Sequence, residues 1–240
     1  MKSIIMNIQI KNKNSIMSYE KNTQFLISKG ISLYKQKKFS KAVDCFDKAI
    51  NINPLYYTSW CNKGVALDKL GKYNEAVDCF DKAININPLY GVAWYNKGVA
   101  LNELNKYNKA VDCFDKAINI NPLYYKAWCN KGVALNELNK YNEAVDCFDK
   151  AININPEFED AWYNKGVALC KLGKYSEEME CLDKTIKINP FYYRAWYYKG
   201  AVLTEHGQLD EAMSCYNRAF VILHPKCTRS VAEPLYHPKL

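Results

Sequence analysis

Residues 57–90 read YTSWCNKGVALDKLGKYNEAVDCFDKAININPLY, and the stretch returns almost unchanged every 34 residues. Tryptophan marks the period at Trp60, Trp94, Trp128, Trp162 and Trp196, which are all five in the chain. Proline marks it at Pro54, Pro88, Pro122, Pro156 and Pro190, and glycine at Gly30, Gly64, Gly98, Gly132, Gly166 and Gly200. Self-similarity at this period implies stacked supersecondary units rather than one closed globule. Each unit buries its apolar face against the next, so the core grows lengthwise.

Within 91–124, Trp94, Leu101 and Leu104 are spaced 7 and 3, with Gly98 and Ala100 between them, which gives one apolar side at helical period. Asn105 and Lys106 break the run. Tyr107, Ala110, Val111, Phe114, Ala117 and Ile118 then form a second helical stripe, which Asn121 and Pro122 end because proline cannot continue a helix. The first helix is expected to stop at Gly71, Asn105, Asn139, Gly173 and Gly207, residue types that accept a left-handed position. Ser40, Asn74, Asn108, Asn142, Ser176 and Asp210 are expected to cap the second helix. Asp78 with Lys82, and Asp112 with Lys116, stand four apart on its polar side and are expected to pair. Gly98, Ala110 and Ala117 fall where two helices must approach, with Trp94 and Phe114 filling the gaps beside them.

The spacing of Trp94, Gly98, Ala110, Phe114, Ala117 and Pro122 resembles the signature of the tetratricopeptide repeat, and it holds unbroken at 57–90, 91–124 and 125–158. The resemblance covers six units: 23–56, 57–90, 91–124, 125–158, 159–192 and 193–226. It implies an all-α fold, a right-handed superhelical solenoid of antiparallel helix pairs. Departures are systematic. The residue before the glycine is Lys in every unit: Lys29, Lys63, Lys97, Lys131, Lys165 and Lys199. Leu26 replaces Trp in the first unit. In the fifth unit Glu178, Leu182 and Thr185 stand where the others have Ala, an aromatic ring and Ala. A carboxylate at a helix crossing is costly if buried, so loose packing around Glu178, or a shift that exposes it, is expected.

Residues 1–22 read as an N-terminal arm, flexible or extended along the array. The opening MKSIIMNIQI is a poor secretory signal, with polar Asn7 and Gln9 interrupting a short apolar run. Residues 227–240 read as a tail without a clear capping helix. Either the tail folds over the last helix, or that end meets another chain or further repeats.

The net charge of +8 is spread along the chain and does not form the basic stripe of a nucleic-acid site. Of ten cysteines, six recur at one repeat position, with no CxxC pair and no His at zinc-ligand spacing. They read as reduced, buried small hydrophobes, which favours a reducing compartment. No segment is apolar enough to cross a membrane. There is no P-loop, HExxH, dinucleotide glycine pattern or nucleophile elbow. The expectation is no enzyme, no cofactor, no metal and no membrane partner. A cytoplasmic location is expected, with export as an effector left open.

By the resemblance, ligands lie on the concave face lined by the first helices. The candidate groove residues are Tyr95, Asn96, Val99, Lys126, Asn130, Val133, Tyr163, Asn164, Val167, Arg194 and Tyr197, with Cys61 and Cys129 alternating with the tyrosines. An amphipathic face with aromatic anchors suits an extended peptide or a partner helix. Chaperone-binding relatives hold a C-terminal carboxylate with Lys, Asn and Arg flanking the glycines. Here Ile27, Ile31 and Val92 occupy several of those places, leaving only fragments such as Lys126 with Asn130. The lysine ladder is expected to reach carboxylates such as Asp81 or Asp115 rather than an anionic partner. The reading is a protein-interaction scaffold. A self-assembling module joined through its ends or the N-terminal arm is the alternative, and RNA binding is a weaker one.

Overall fold

The computed structural model describes residues 20–225. The secondary structure of these residues is helical, in six helix–turn–helix pairs with no strand among them. The helices are α1 (20–35), α2 (Phe39–Ile52), α3 (Tyr57–Lys69), α4 (Tyr73–Ile86), α5 (Gly91–Glu103) and α6 (Tyr107–Ile120). They continue with α7 (Tyr125–Glu137), α8 (Tyr141–Ile154), α9 (Glu159–Lys171), α10 (Tyr175–Ile188), α11 (Tyr193–Glu205) and α12 (Leu209–Leu223). Two compact units are distinguished, with the division at Ala134 and Leu135, inside α7. The arm assigned to 1–22 lies mostly outside the described residues; its last three, 20–22, belong to α1. The tail at 227–240 lies wholly outside them.

In the N-terminal unit each helix packs on the next in sequence from α2 to α6. One cluster joins Cys61 and Leu67 of α3, Ala76, Phe80, Ala83 and Ile84 of α4, and Ala93 and Ala100 of α5. The alanines let backbones approach, and the phenylalanine fills what remains. A methyl group placed on Gly64 would stand 2.6 Å from Phe80 Cε1. In the C-terminal unit α8 packs on α9, α9 on α10, α10 on α11 and α11 on α12.

The turn inside each pair differs from the sequence expectation at one point. The stop residues are left-handed as expected: Gly71 has φ 73°, Asn105 56°, Asn139 59°, Gly173 69° and Gly207 76°, and Lys37 takes the same conformation in the first unit at 60°. Gly71 N–H donates to Asp68 O at 2.9 Å and Lys72 N–H to Leu67 O at 3.0 Å, the paired bonds of a Schellman turn. The next helix begins at once at Tyr73, so Lys72 is its N-cap and caps with no side-chain bond. Asn74 is therefore already the second helical residue, and Ser40, Asn108, Asn142, Ser176 and Asp210 stand likewise inside their helices. The expected capping role is overturned because the turn is too short to leave them outside. The expected pairs Asp78–Lys82 and Asp112–Lys116 are also not among the ion pairs of the described residues. Lys72–Glu75 (3.1 Å) and Lys174–Glu177 (3.2 Å) pair at spacing three instead.

Glu178 corrects a further expectation. It is 3 % exposed, not displaced to the surface, and its Oε1 has no hydrogen-bond partner. Burial raises its pKa, and the nearby Glu205 carboxylate adds to this, against relief from Cys170, His206 and Tyr198. A methyl on Gly166 would meet Cys181 Cβ at 3.4 Å, ordinary contact, because Leu182 leaves the room an aromatic ring would take.

Candidate functional site

The turn between units is held by three marker residues together. The Trp94 indole N–H donates to Pro88 O at 2.9 Å, and Asn87 Oδ1 accepts the backbone N–H of Leu89 at 3.2 Å. The same bonds recur at Trp60, Trp128, Trp162 and Trp196. This clamp sets the angle at which each first helix enters, and with it the side chains on the candidate binding face.

From Lys63 onward the lysine ladder is ion-paired. Lys63 reaches Asp47, Lys97 Asp81, Lys131 Asp115 and Lys165 Asp149, each at 2.6 Å, and Lys199 reaches Asp183. The Lys97 ammonium also lies 5.7 Å from the Trp94 ring centre. Its charge is thus engaged by the preceding repeat, as expected.

On the first helices of the N-terminal unit, Tyr95, Asn96 and Val99 come together in a cleft of about 230 Å³ whose walls include Tyr34, Val65, Asp68 and Lys69. Tyr95 is held rather than free. Its ring lies 4.8 Å from that of Tyr124, its hydroxyl accepts Asn130 Nδ2 at 3.1 Å, and burial pushes its pKa up to about 12. Asn130 also donates to Lys126 O at 3.0 Å, while Lys126 itself is exposed. Asn96 Nδ2 approaches Cys61 Sγ at 3.9 Å. Each Asn therefore reaches back 35 residues to the position after the preceding Trp, a link visible in the sequence only as the recurrence of Asn opposite alternating Cys and Tyr. Val133 is half-buried. Cys61 and Cys129, 2 % and 4 % exposed, belong to the packing and not to a binding surface, and Cys61 sits against Asn96. Burial raises the Cys61 pKa to about 11, which keeps it a neutral thiol.

In the C-terminal unit Tyr163 rests 5.3 Å from the Tyr192 ring, with its pKa raised by burial. Asn164 donates to Asp160 O at 2.8 Å, and Val167 is half-buried. Arg194 and Tyr197 are exposed, Arg194 bonding to the Tyr193 hydroxyl at 3.4 Å. Sequence reasoning missed a cleft of about 360 Å³ lined by Trp162, Lys165, Glu177, Glu180 and Lys184. A counterpart in the N-terminal unit includes Trp60, Lys63, Glu75, Asp78 and Lys82. These clefts recur with the period and have balanced charge, so they follow from how Trp and Lys pack between the paired helices.

Two tetratricopeptide repeat family models match the chain, one over 24–56, 57–90, 91–124 and 125–158, the other over 147–180 and 181–213. The chain belongs to the tetratricopeptide repeat family. Tetratricopeptide repeat proteins serve in general as protein-interaction scaffolds. No curated protein sequence matches this one. Among solved structures, PilF of Pseudomonas aeruginosa superposes with TM-score 0.75 at 17 % identity over 90 % of this chain and all of its own. A tetratricopeptide repeat protein of Parabacteroides merdae gives 0.70 at 19 %, over 88 % of each chain. YrrB, described as having an unusual peptide-binding site, gives 0.63 at 24 %, over 78 % of this chain and 96 % of its own. At these identities the likeness establishes the fold.

Among the described residues, no group of three His, Cys, Asp or Glu could hold a metal, and no helix is long and apolar enough to cross a membrane. His206 sits at a turn, its Nδ1 2.9 Å from Val202 O and its ring on that of Tyr175.

Proposed function

We propose that this protein is a non-enzymatic interaction scaffold whose array, residues 23–226, grips an extended peptide or a partner helix on the faces of its first helices. The observation that carries this is the cleft around Val65, Tyr95, Asn96 and Val99. Two half-buried valines offer apolar contact there, and Asp68 and Lys69 offer charge at the edge, the mixture that suits a peptide backbone with alternating side chains. Tyr95 and Tyr163 act by shaping the face, since both are packed between rings. Lys126, Arg194 and Tyr197 are the exposed members of the candidate set. Neutral, buried thiols fit a reducing compartment such as the cytoplasm.

The test is selection of a phage-displayed random peptide library on the immobilised full chain. Selected peptides are then titrated by fluorescence polarisation against the wild type and a Val65→Glu/Val99→Glu variant whose helicity is verified. At least a tenfold loss of affinity, about 1.4 kcal/mol, is expected. Equal affinity for both proteins would place binding elsewhere.

A further inference from the structure

The outer side of α12 carries Leu209, Met213, Phe220 and Leu223 at 60, 58, 54 and 51 % exposure. With half-buried Tyr216 they are spaced 4, 3, 4 and 3, the spacing of a seam made by two helices. Their counterparts one repeat earlier show what such a face is for. Tyr175, Met179 and Ile186 of α10 pack against the cluster holding Ala195 and Val202 of α11. Leu209, Met213 and Phe220 thus continue an interface already built within this unit. At 100° per residue, Glu211 and Arg218 fall on the opposite side of α12 and leave the seam uncharged along its length.

We propose that this face is the interface for a second copy of the chain, with the two α12 helices packed antiparallel about a two-fold axis. An antiparallel pair centred near Tyr216 sets Met213 level with the second copy's Phe220 and Leu209 level with its Leu223, so the face complements itself. Head-to-tail stacking onto α1 of another copy is disfavoured. First helices that accept a preceding unit present small residues such as Ala93 and Ala100, both fully buried. The matching positions of α1 are Phe25, a ring 66 % exposed, and Ser32, and the ring would hold an incoming helix away. One face of a 15-residue helix is about 22 Å long. A contact along one such face lies at the small end of protein interfaces, so the dimer is weak and its population depends on concentration.

Sedimentation velocity of the full chain across micromolar to submillimolar concentration tests this. The species is expected to shift from 27.7 kDa to twice that mass. Met213→Glu/Phe220→Glu, with helicity and melting temperature checked, is expected to weaken association at least tenfold. A wild type that stays monomeric overturns the proposal; amide-exchange protection of α12 in that monomer would assign its cover to residues 226–240. Growth beyond two copies, or a dimer indifferent to the double substitution, also overturns it.

Discussion

Phe114 Cε1 occupies the place where a side chain on Gly98 would begin: a methyl group there would stand 2.6 Å from it. The helix pair closes on this contact, with Phe114 fully buried. The same ring-on-glycine approach recurs at Phe46 with Gly30 and Phe80 with Gly64.

Gly98→Ala is therefore expected to destabilise the chain by about 1–3 kcal/mol, the cost of overpacking a filled core. Gly166→Ala is expected to be neutral or stabilising, by up to about 1 kcal/mol of helix propensity, since the space beside Leu182 accepts a methyl at ordinary contact. Urea denaturation of both variants checks the contrast. Equal losses would mean that glycine is needed there for another reason than ring contact.

The indole bond from Trp94 to Pro88 O at 2.9 Å ties the end of one repeat to the first helix of the next. Trp94→Phe keeps an aromatic ring but removes the donor, and is expected to cost about 1 kcal/mol. Removing the Lys97 charge should matter less, because its pair with Asp81 is partly exposed and worth about 0.2–1 kcal/mol. Melting temperatures of Trp94→Phe and Lys97→Met at high and low salt separate the two. Only the Lys97 contribution should fall with salt.

Glu178 makes stability depend on pH in the direction set by its raised pKa. A carboxyl whose folded pKa exceeds the unfolded value, about 4.3 for Glu, stabilises below that value. The contribution is lost as pH rises through the folded pKa. The unit should therefore melt at higher temperature in mild acid than near neutrality, relative to a Glu178→Gln variant in the same buffers. Glu178→Ala/Leu182→Phe, which restores the arrangement of the other units, is expected to gain about 1–3 kcal/mol at neutral pH by removing an unsatisfied buried group. A pH profile identical for wild type and Glu178→Gln would show that the carboxyl is solvated.

Much of this fold was legible because the repeat states each signal five or six times. Gly71 and Asn105 announced their left-handed turns, since few residue types accept that conformation. From Lys63 onward, the lysine before each glycine announced its neutralisation by sixteen-residue separation from an aspartate. The capping residues misled because Asn74 and Ser176 are good caps by type. Which residue caps depends on where the Schellman turn ends, and one shared lysine closes one helix and opens the next. Of the candidate site, Tyr95, Asn96 and Val99 do converge in one cleft, but Cys61 and Cys129 proved to be packing.

Period and residue type alone determined that this chain is a row of paired helices, because those properties act over a few turns of backbone. Whether Tyr95 is a free anchor or a wedged ring, whether Glu178 finds water or stays dry, and which face of α12 the described residues leave uncovered were decided only when the helices met. Burial belongs to such pairs of surfaces, and the spacing of residues along one helix does not record which surface it will meet.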